Sequence, residues 1–189
     1  MKVVKLGGSL SNGSHLRPWL AALAEHGPGR VALVPGGGPF ADAVRASQKV
    51  WDFSDRSAHR MALLGMRQFG LMLCGLEPAL TEAPGAAAVK KTLEEGGLPV
   101  WLPDEEELDA AGVPSSWDIT SDSLAAWLAG RVGAEELLLV KSCPVGEGAT
   151  LESLVGDGII DPALPDFLRC PLRVVAATES LGYAALLDR

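Results

Sequence analysis

The residues best suited to chemistry lie near the start of the chain, where an apolar run carrying a lysine ends in two glycines and a serine. Residues 1–10 read MKVVKLGGSL, with the lysine at Lys5. Glycine has no Cβ, so backbone N–H groups in such a turn can approach an anion closely, and a following helix N-terminus adds partial positive charge. The stretch therefore predicts a phosphate site. Taken by itself, it is equally explained by a tight strand-to-helix turn with a solvated lysine.

A second glycine loop follows a second strand-like run. Residues 30–34, RVALV, lead into PGGGP at 35–39, and a helical segment begins at Phe40. Strand, glycine loop and helix have then occurred twice, and open α/β sheets bind ligands at the carboxyl ends of their strands. The two loops are expected to lie side by side at one ligand site.

Acidic and hydroxyl side chains precede a strongly helical run in the second half of the chain. Residues 117–123, WDITSDS, are followed by LAAWLA. Thr120 or Ser121 is suited to cap this helix, and Asp122 would complement its dipole in the first turn. The functional alternative is that Asp118 and Asp122, with the hydroxyls between them, meet a ligand at the helix N-terminus.

A second lysine ends the most strand-like segment of the second half. Residues 136–140, ELLLV, run into Lys141 and Ser142. A lysine at the carboxyl end of a buried strand often only extends its ammonium group into water. Because Lys5 occupies the same kind of position, an anion between the two lysines is the functional alternative.

The elements that must position these residues alternate along the chain. Further strand-like runs lie at 98–102 and 172–176, with a short strand expected between 77 and 88. Helical patterns lie near 16–26, 57–74, 87–95 and 151–155, and an acidic helix start lies at 104–109. In the helix predicted at 57–74, Met61, Leu64, Phe69 and Met72 are expected in the core. Alternating strands and helices predict an α/β fold with a mostly parallel sheet covered on both faces.

Length, composition and charge limit the class of protein. The chain has 189 residues, 48% hydrophobic and 21% charged, with a net charge of −8. One domain over residues 1–189 is expected, and its negative surface should repel nucleic acid and anionic membranes. Any anionic ligand must therefore be held locally, by glycine-loop amides and a few lysines.

Cysteine usage and the apolar runs indicate the compartment. Cys74, Cys143 and Cys170 are odd in number and far apart, which favours reduced thiols over a disulfide framework or a zinc site. The first residues lack a secretory pattern, and no apolar stretch reaches the roughly 20 residues of a membrane span. A soluble cytoplasmic protein is expected.

Several common motifs are missing. No G-x-x-x-x-G-K-[ST] motif occurs, and no G-x-G-x-x-G motif follows the first strand. Neither a G-x-S-x-G motif nor a histidine-rich zinc pattern is present. These absences count against a usual P-loop NTPase, a dinucleotide-dependent oxidoreductase and a serine hydrolase.

Three motifs together resemble those of the amino acid kinases, a family that also includes aspartate, glutamate, carbamate and uridylate kinases. They are KLGGS at 5–9, PGGGP at 35–39 and DITSDSLAA at 118–126, in the family's order. The resemblance covers most of the chain. It implies a three-layer α/β/α sandwich with a largely parallel sheet, an N-terminal part that binds the acceptor and a C-terminal part that binds ATP. It also implies a homo-oligomer, a dimer or larger.

The resemblance also implies roles for individual residues. Lys5 would reach the transferring phosphoryl group, and Asp122 would organise the lysines around it, as an orienter rather than a base. The same phosphate would be bound by Gly7, Gly8 and Ser9. The acceptor side would be held by Gly36, Gly37 and Gly38.

The stretch after Val140 departs from the family pattern. Family members continue into a threonine-aspartate-valine-aspartate-glycine stretch that contacts the nucleotide, whereas residues 141–146 here read KSCPVG. Lys141 would substitute for a late lysine of larger members, with Ser142 beside it at the nucleotide. The implied cofactors are ATP and a Mg²⁺ ion held mainly by the nucleotide phosphates, without a protein metal site.

Residues 54–73 are most similar to the small kinases of methanofuran-type coenzyme synthesis. The acceptor implied is 5-(aminomethyl)-3-furanmethanol or its phosphate. The ammonium group of that acceptor would need an acidic partner. Candidates for the acceptor site are Asp52, Asp55, His59, Asp118, Thr120 and Ser121. Two alternatives stay open: a non-catalytic nucleotide- or oxyanion-binding protein on the same fold, and a kinase for a carboxylate, carbamate or nucleoside-phosphate acceptor.

Overall fold

A single parallel sheet organises the molecule in the computed structural model, which describes residues 1–146 and 148–178. Its strands are β1 (Lys2–Leu6), β2 (Val31–Pro35), β3 (Leu80–Pro84), β4 (Leu98–Leu102), β5 (Glu136–Lys141) and β6 (Leu172–Ala176). Their order across the sheet is β3-β4-β2-β1-β5-β6, and every pair is parallel. The predicted parallel sheet is confirmed.

The first strand lies inside the sheet, between β2 and β5. Lys5 is in register with Val34 of β2 and with Leu139 of β5. Parallel strands end at the same edge of a sheet, so the glycine turn after β1, the glycine loop after β2 and Lys141 all lie at this edge.

Helices connect the strands in the described part of the chain. They are α1 (Leu16–His26), α2 (Gly38–Trp51), α3 (Asp55–Leu76), α4 (Gly85–Glu94), α5 (Glu105–Ala110), α6 (Ser121–Val132), α7 (Leu151–Gly156) and α8 (Leu164–Phe167). A short 3-10 helix, Gly8–Asn12, follows β1 directly. None of the helices within residues 1–146 and 148–178 is long and apolar enough to cross a bilayer.

The sheet is covered on both faces. Alternate residues of a strand point to opposite faces, so neighbours in β1 belong to different cores. Val4 packs in the core that includes α1 and the second half of α3, whereas Val3 packs in the core that includes α4 and α6. This arrangement confirms the predicted three-layer α/β/α sandwich.

Helix α3 differs in two ways from the helix predicted at 57–74. It begins earlier, at Asp55, and only three residues separate it from α2, which continues to Trp51. Phe69 is fully buried as expected, but Met61 and Leu64 are 39% and 59% exposed. The inward-facing row is formed by Leu63, Met66, Phe69 and Leu73. With 3.6 residues per turn, Met61 and Leu64 lie on a second apolar stripe that faces outward, so their predicted place in the core was wrong.

Candidate active site

Two lysines and one aspartate form a buried cluster at the carboxyl edge of the sheet. Asp122 Oδ1 lies 2.8 Å from Lys5 Nζ, an ion-pair distance. Asp122 Oδ2 accepts a hydrogen bond from Lys141 Nζ. The side chains of Lys5, Asp122 and Lys141 are 5%, 4% and 13% exposed. With both lysines protonated, the cluster carries one net positive charge.

Burial and charge act against each other in this cluster. Burial would raise the pKa of Asp122, but the charges of Lys5 and Lys141 outweigh burial and hold that pKa below its usual value. Burial and the charge of Lys5 lower the pKa of Lys141, against the opposing effect of Asp122. A carboxylate with a lowered pKa is a weak base, so the arrangement suits Asp122 to orient the lysines and not to remove a proton.

The fold explains how three distant residues meet. Lys5 and Val3 are two apart in β1, so both point to the sheet face covered by α6. Asp122 lies in the first turn of α6, and Lys141 is the last residue of β5. Above them, Ser9 Oγ lies 2.7 Å from Ser142 Oγ, which joins the loops that follow β1 and β5.

The two predicted glycine loops pack backbone against backbone. A Cβ on Gly8 would come within 2.8 Å of Gly38 Cα, and a Cβ on Gly36 within 2.7 Å of Gly8 Cα. Gly38 also has a left-handed backbone, with φ of 54°. No side chain fits at these positions without moving backbone, which is why both loops need glycine.

The Gly7 amide is directed away from the candidate site. Gly7 N donates to Val140 O at 3.0 Å, which extends the pairing of β1 with β5. A Cβ on Gly7 would lie 3.0 Å from the same oxygen. Gly7 thus holds the turn against β5, and its N–H group is not available to a phosphate.

A cavity of about 260 Å³ opens beside the glycine loops. Its lining contains the predicted residues Gly8, Ser9, Gly37, Gly38, His59, Thr120 and Ser121. It also contains Ala41, Asp42, Arg45, Ala62, Leu63, Met66, Trp117, Ile119 and Leu124. The structure thereby brings the glycine loops, one histidine and the hydroxyls before Asp122 to one space with a partly apolar wall.

The three acidic residues predicted to bind an ammonium group do not line this cavity. Asp52 ends α2 with a left-handed φ of 50° and is exposed. Asp55 accepts a hydrogen bond from Gln48 Nε2 at 2.9 Å, and Asp118 is exposed in the loop before α6. The carboxylate that does line the cavity is Asp42, on the first turns of α2.

Asp42 was not singled out as a candidate site residue from the sequence. Arg45 NH1 lies 3.1 Å from Asp42 Oδ1, and its guanidinium lies 4.5 Å from the centre of the Trp117 ring. Trp117 Nε1 donates to Gln48 Oε1 at 2.7 Å, which fixes the ring against α2. Helical spacing from Gly38 could have indicated Asp42, because residues three to four apart on a helix share one face. Gly38, Asp42 and Arg45 follow this spacing, and all three line the cavity.

His59 lies on the first turns of α3 and is buried against the cavity. Burial lowers the pKa of His59. A hydrogen bond with the backbone of Ser116 raises it, as do the charges of Asp109 and Glu105, but these effects offset burial only in part. The imidazole is therefore mainly neutral at pH 7, when it can donate one hydrogen bond and accept another.

The N-terminus of α6 is capped by a residue distant in sequence, contrary to the expectation that Thr120 or Ser121 caps it. Thr120 occupies the N-cap position, but its side chain accepts no hydrogen bond from the helix. Asp161 instead accepts from Thr120 N at 2.7 Å and from Ser123 N at 3.0 Å. No local pattern points to Asp161, since it is 38 residues beyond Ser123.

Comparison with known proteins adds a relative with a named activity. Over 142 residues the chain is 28% identical to the [5-(aminomethyl)furan-3-yl]methyl phosphate kinase of Methanocaldococcus jannaschii, covering 74% of this chain. The match spans 64% of the length of that relative.

Solved structures share the fold at low sequence identity. A UMP kinase from Bacillus anthracis superposes with a TM-score of 0.74 at 16% identity, over 100% of this chain and 92% of that one. A uridylate kinase from Archaeoglobus fulgidus gives 0.68 at 17% identity, over 98% and 95% of the two chains. An aspartate kinase from Synechocystis gives 0.67 at 17% identity, over 95% of this chain and 39% of that one.

The family model that matches is that of the amino acid kinase family, over residues 1–144. The matched range contains both glycine loops and the complete cluster of Lys5, Asp122 and Lys141. Sequence and fold therefore agree, and the chain belongs to the amino acid kinase family.

Proposed function

We propose that this chain is an ATP-dependent kinase for a small molecule. The observation that carries the proposal is the buried cluster of Lys5, Asp122 and Lys141, beside a cavity lined by both glycine loops. Phosphoryl transfer has a loose transition state with charge spread over the equatorial oxygens, so it needs cations and N–H donors more than a strong base. The cluster and the loops supply both.

In the proposed reaction, an oxygen of the acceptor approaches the γ-phosphorus of ATP. A new bond forms between that oxygen and phosphorus, while the bond from phosphorus to the β,γ-bridging oxygen breaks and ADP leaves. Lys5 neutralises charge on the transferring group, and Lys141 with Ser142 binds the nucleotide side. Asp122 holds both lysines in place. A hydroxyl acceptor releases its proton to solvent, whereas an ionised phosphate acceptor has none to release.

A magnesium ion would be held through the nucleotide. The described residues contain no group of three or more His, Cys, Asp or Glu side chains placed to hold a metal. Both oxygens of Asp122, the one carboxylate in the cluster, face a lysine. These residues fit an ion bound mainly by the phosphates of ATP, where it would neutralise their charge.

For the acceptor, we propose 5-(aminomethyl)-3-furanmethanol or its phosphate, and the structure favours the phosphate. The relative from Methanocaldococcus jannaschii is named as a kinase for such a phosphate. The cavity combines apolar walls with Arg45 and His59, which suit a phosphate, and with Asp42, which suits an ammonium group. In this proposal Asp42 takes the role that the sequence suggested for Asp52, Asp55 or Asp118.

The test is turnover by the purified full chain with MgATP and either the alcohol or its phosphate. ADP formation is followed in a coupled assay, and mass spectrometry identifies a product heavier by one phosphoryl group. Lys5→Ala should slow product formation by about 10²- to 10³-fold. Lys90→Ala, a change at an exposed lysine on α4, should not slow it. Absence of product with both acceptors would contradict the proposed acceptor.

The altered stretch after β5 favours a second candidate, a protein that binds nucleotide or an oxyanion without turnover. Residues 141–146 lack the family's nucleotide-contacting pattern. Calorimetry with MgATP, read together with the turnover assay, distinguishes the two candidates, because binding without turnover on any acceptor indicates the non-catalytic protein.

A carboxylate acceptor would be revealed by hydroxylamine, which traps an acyl phosphate but not a phosphate ester.

A further inference from the structure

Asp161 is a buried carboxylate outside the cluster, and within residues 1–146 and 148–178 the hydrogen bonds that it accepts come from the start of α6. Its side chain accepts from Thr120 N and Oγ1, both at 2.7 Å, and from Ser123 N and Oγ at 3.0 Å and 2.9 Å. It lies just after the α7 segment, and the residue is only 9% exposed. A buried carboxylate with four donors is held in one place.

The donors lie on both sides of Asp122. Thr120 is the N-cap residue of α6 and Ser123 is the third residue of the helix, so the turn that carries Asp122 is fixed at both ends. The amide of Ser123 is a group that a helix leaves unsatisfied unless a cap accepts from it. Thr120 does not fulfil this function, since its side chain accepts no hydrogen bond from the helix. Its hydroxyl donates to Asp161 instead.

The cluster needs this support. Asp122 must keep one oxygen on Lys5 and the other on Lys141, which come from two different strands. A rotation or shift of the first turn of α6 would favour one lysine over the other. Misplacement of a catalytic group by about 1 Å can cost roughly a hundredfold in rate.

We infer that Asp161 is a positioning residue, which fixes the first turn of α6 and thereby sets Asp122 between Lys5 and Lys141. The inference rests on the proposed kinase function for its effect on rate, but the positioning itself is a property of the folded chain. Asp161 acts on Asp122 through these hydrogen bonds. Its charge also reaches the cluster, where it opposes the lowering of the pKa of Lys141 as the smallest of the effects on that group.

The first experiment compares turnover in Asp161→Ala and Asp161→Asn. The alanine variant should lower kcat by about 10- to 100-fold with little change in the KM for ATP. The asparagine variant should keep most of the activity, because its carbonyl can accept from Ser123 and its amide can donate to the Thr120 hydroxyl. Equal loss in both variants would overturn the hydrogen-bond role, and a normal kcat in the alanine variant would overturn the positioning role.

Two further variants separate positioning from stability. In a chain that already carries Asp122→Asn, adding Asp161→Ala should lower kcat only a little further, since the residue that Asp161 positions is already altered. Additive losses would contradict action through Asp122. Asp157→Ala, at an exposed aspartate in the preceding turn, should leave kcat unchanged.

A second experiment does not depend on turnover. Competitive acetylation with acetic anhydride, read residue by residue by mass spectrometry, reports how accessible each lysine amine is. In Asp161→Ala, Lys5 and Lys141 should react severalfold faster than in the parent chain, while the exposed Lys90 and Lys91 serve as internal references. If the alanine variant does not fold, Ser123→Ala should show a smaller increase at the same two lysines.

The two experiments distinguish failure of this inference from failure of the proposed function. Unchanged labelling of Lys5 and Lys141 in a folded Asp161→Ala variant would overturn the inference whatever the turnover. A parent chain without turnover, in which labelling still rises in the variant, would contradict the kinase proposal and support the positioning role.

Discussion

Asp122 lies between two lysines, so the effect of a substitution in the cluster depends on which of its three residues is replaced. Without Lys5, Asp122 still has Lys141 as a partner. Without Asp122, the ammonium groups of Lys5 and Lys141 are buried near each other without the carboxylate that pairs with both. The lysine variant therefore tests chemistry, and the aspartate variant tests both chemistry and stability.

Lys5→Ala should lower kcat by about 10²- to 10³-fold, because a positive charge is lost where negative charge develops. Its melting temperature should stay close to that of the parent. Steady-state kinetics with the phosphate acceptor measures the effect, with Lys90→Ala as the matched control. Turnover within a factor of about two of the parent would remove Lys5 from the mechanism.

Asp122→Asn should destabilise the chain in a pH-dependent way. Because the pKa of Asp122 is lower in the folded chain than its ordinary value of 3.8, its ionised form stabilises the fold above that value. This contribution is lost as the pH falls through the folded pKa. The variant should be about 3–5 kcal/mol less stable near pH 6, and the difference should shrink below pH 3.8.

Urea unfolding of the parent and of Asp122→Asn at several pH values measures that difference. Asp157→Asn provides the control, since this carboxylate is exposed and should give a small difference at every pH. A constant difference between parent and Asp122→Asn down to pH 3 would show that Asp122 is not held ionised by the lysines.

Asp42→Asn should raise the KM for an acceptor that carries an ammonium group, because it removes the carboxylate that lines the cavity. A charge-assisted hydrogen bond contributes about 1.5–3 kcal/mol, which corresponds to a rise of roughly 10- to 100-fold. An analogue without the amino group should bind the parent and the variant alike. Asp52→Asn is the control, since asparagine tolerates the left-handed backbone there. An unchanged KM in Asp42→Asn would exclude this role.

At the scale of elements, the close contact between the two glycine loops depends on the missing side chains. Gly8→Ala should destabilise the chain by about 1–3 kcal/mol and impair ATP turnover, because its Cβ would meet the backbone of Gly38. Gly13→Ala is the matched control, since its nearest neighbours outside adjacent residues lie 3.6 Å away. Thermal unfolding and kinetics measure both variants. Equal stability in the two would contradict the packing argument.

Elements were predicted well where a short-range pattern defines them. The strands at 98–102 and 172–176 have the predicted bounds, and α6 follows the predicted hydroxyl and aspartate stretch. Lys5 and Lys141 were singled out because each lies at or near the end of a strand-like apolar run. The cavity-lining Asp42 was missed although it lay in the helical segment expected from Phe40, because a helix must be placed on the sheet before its ligand-facing side is known.

The cap of α6 was missed for a different reason. Sequence rules assign a cap to the residue beside the helix, and Thr120 satisfies them. The structure gives the function to Asp161, which lies between α7 and α8, and α8 packs against α6. Long-range hydrogen bonds of this kind have no local signature, so they become visible only in the three-dimensional fold.

At the scale of the molecule, ligand binding should stabilise the whole domain, because the proposed nucleotide and acceptor sites join loops from both halves of the sheet. MgATP at about 100 times its Kd should raise the free energy of unfolding by about 2.7 kcal/mol. For a chain of this size, that corresponds to a rise of several degrees in melting temperature. Differential scanning calorimetry with MgATP and with Mg²⁺ alone measures the effect. Equal melting temperatures would contradict nucleotide binding.

The homo-oligomer expected from the family resemblance stays a prediction, which analytical ultracentrifugation can test.

The position of β1 between β2 and β5 has a consequence for the order of folding. The strand that carries Lys5 is synthesised before β5, yet β5, more than a hundred residues later, supplies one of its two neighbouring strands. Parallel pairings between distant segments are slow to form, because a long loop must close before they can stabilise the chain. Until β5 has been synthesised, the cluster of Lys5, Asp122 and Lys141 cannot form. Until Asp161 has been synthesised, α6 lacks its cap. If the chain is the proposed kinase, we therefore expect its phosphate site to be completed late in folding.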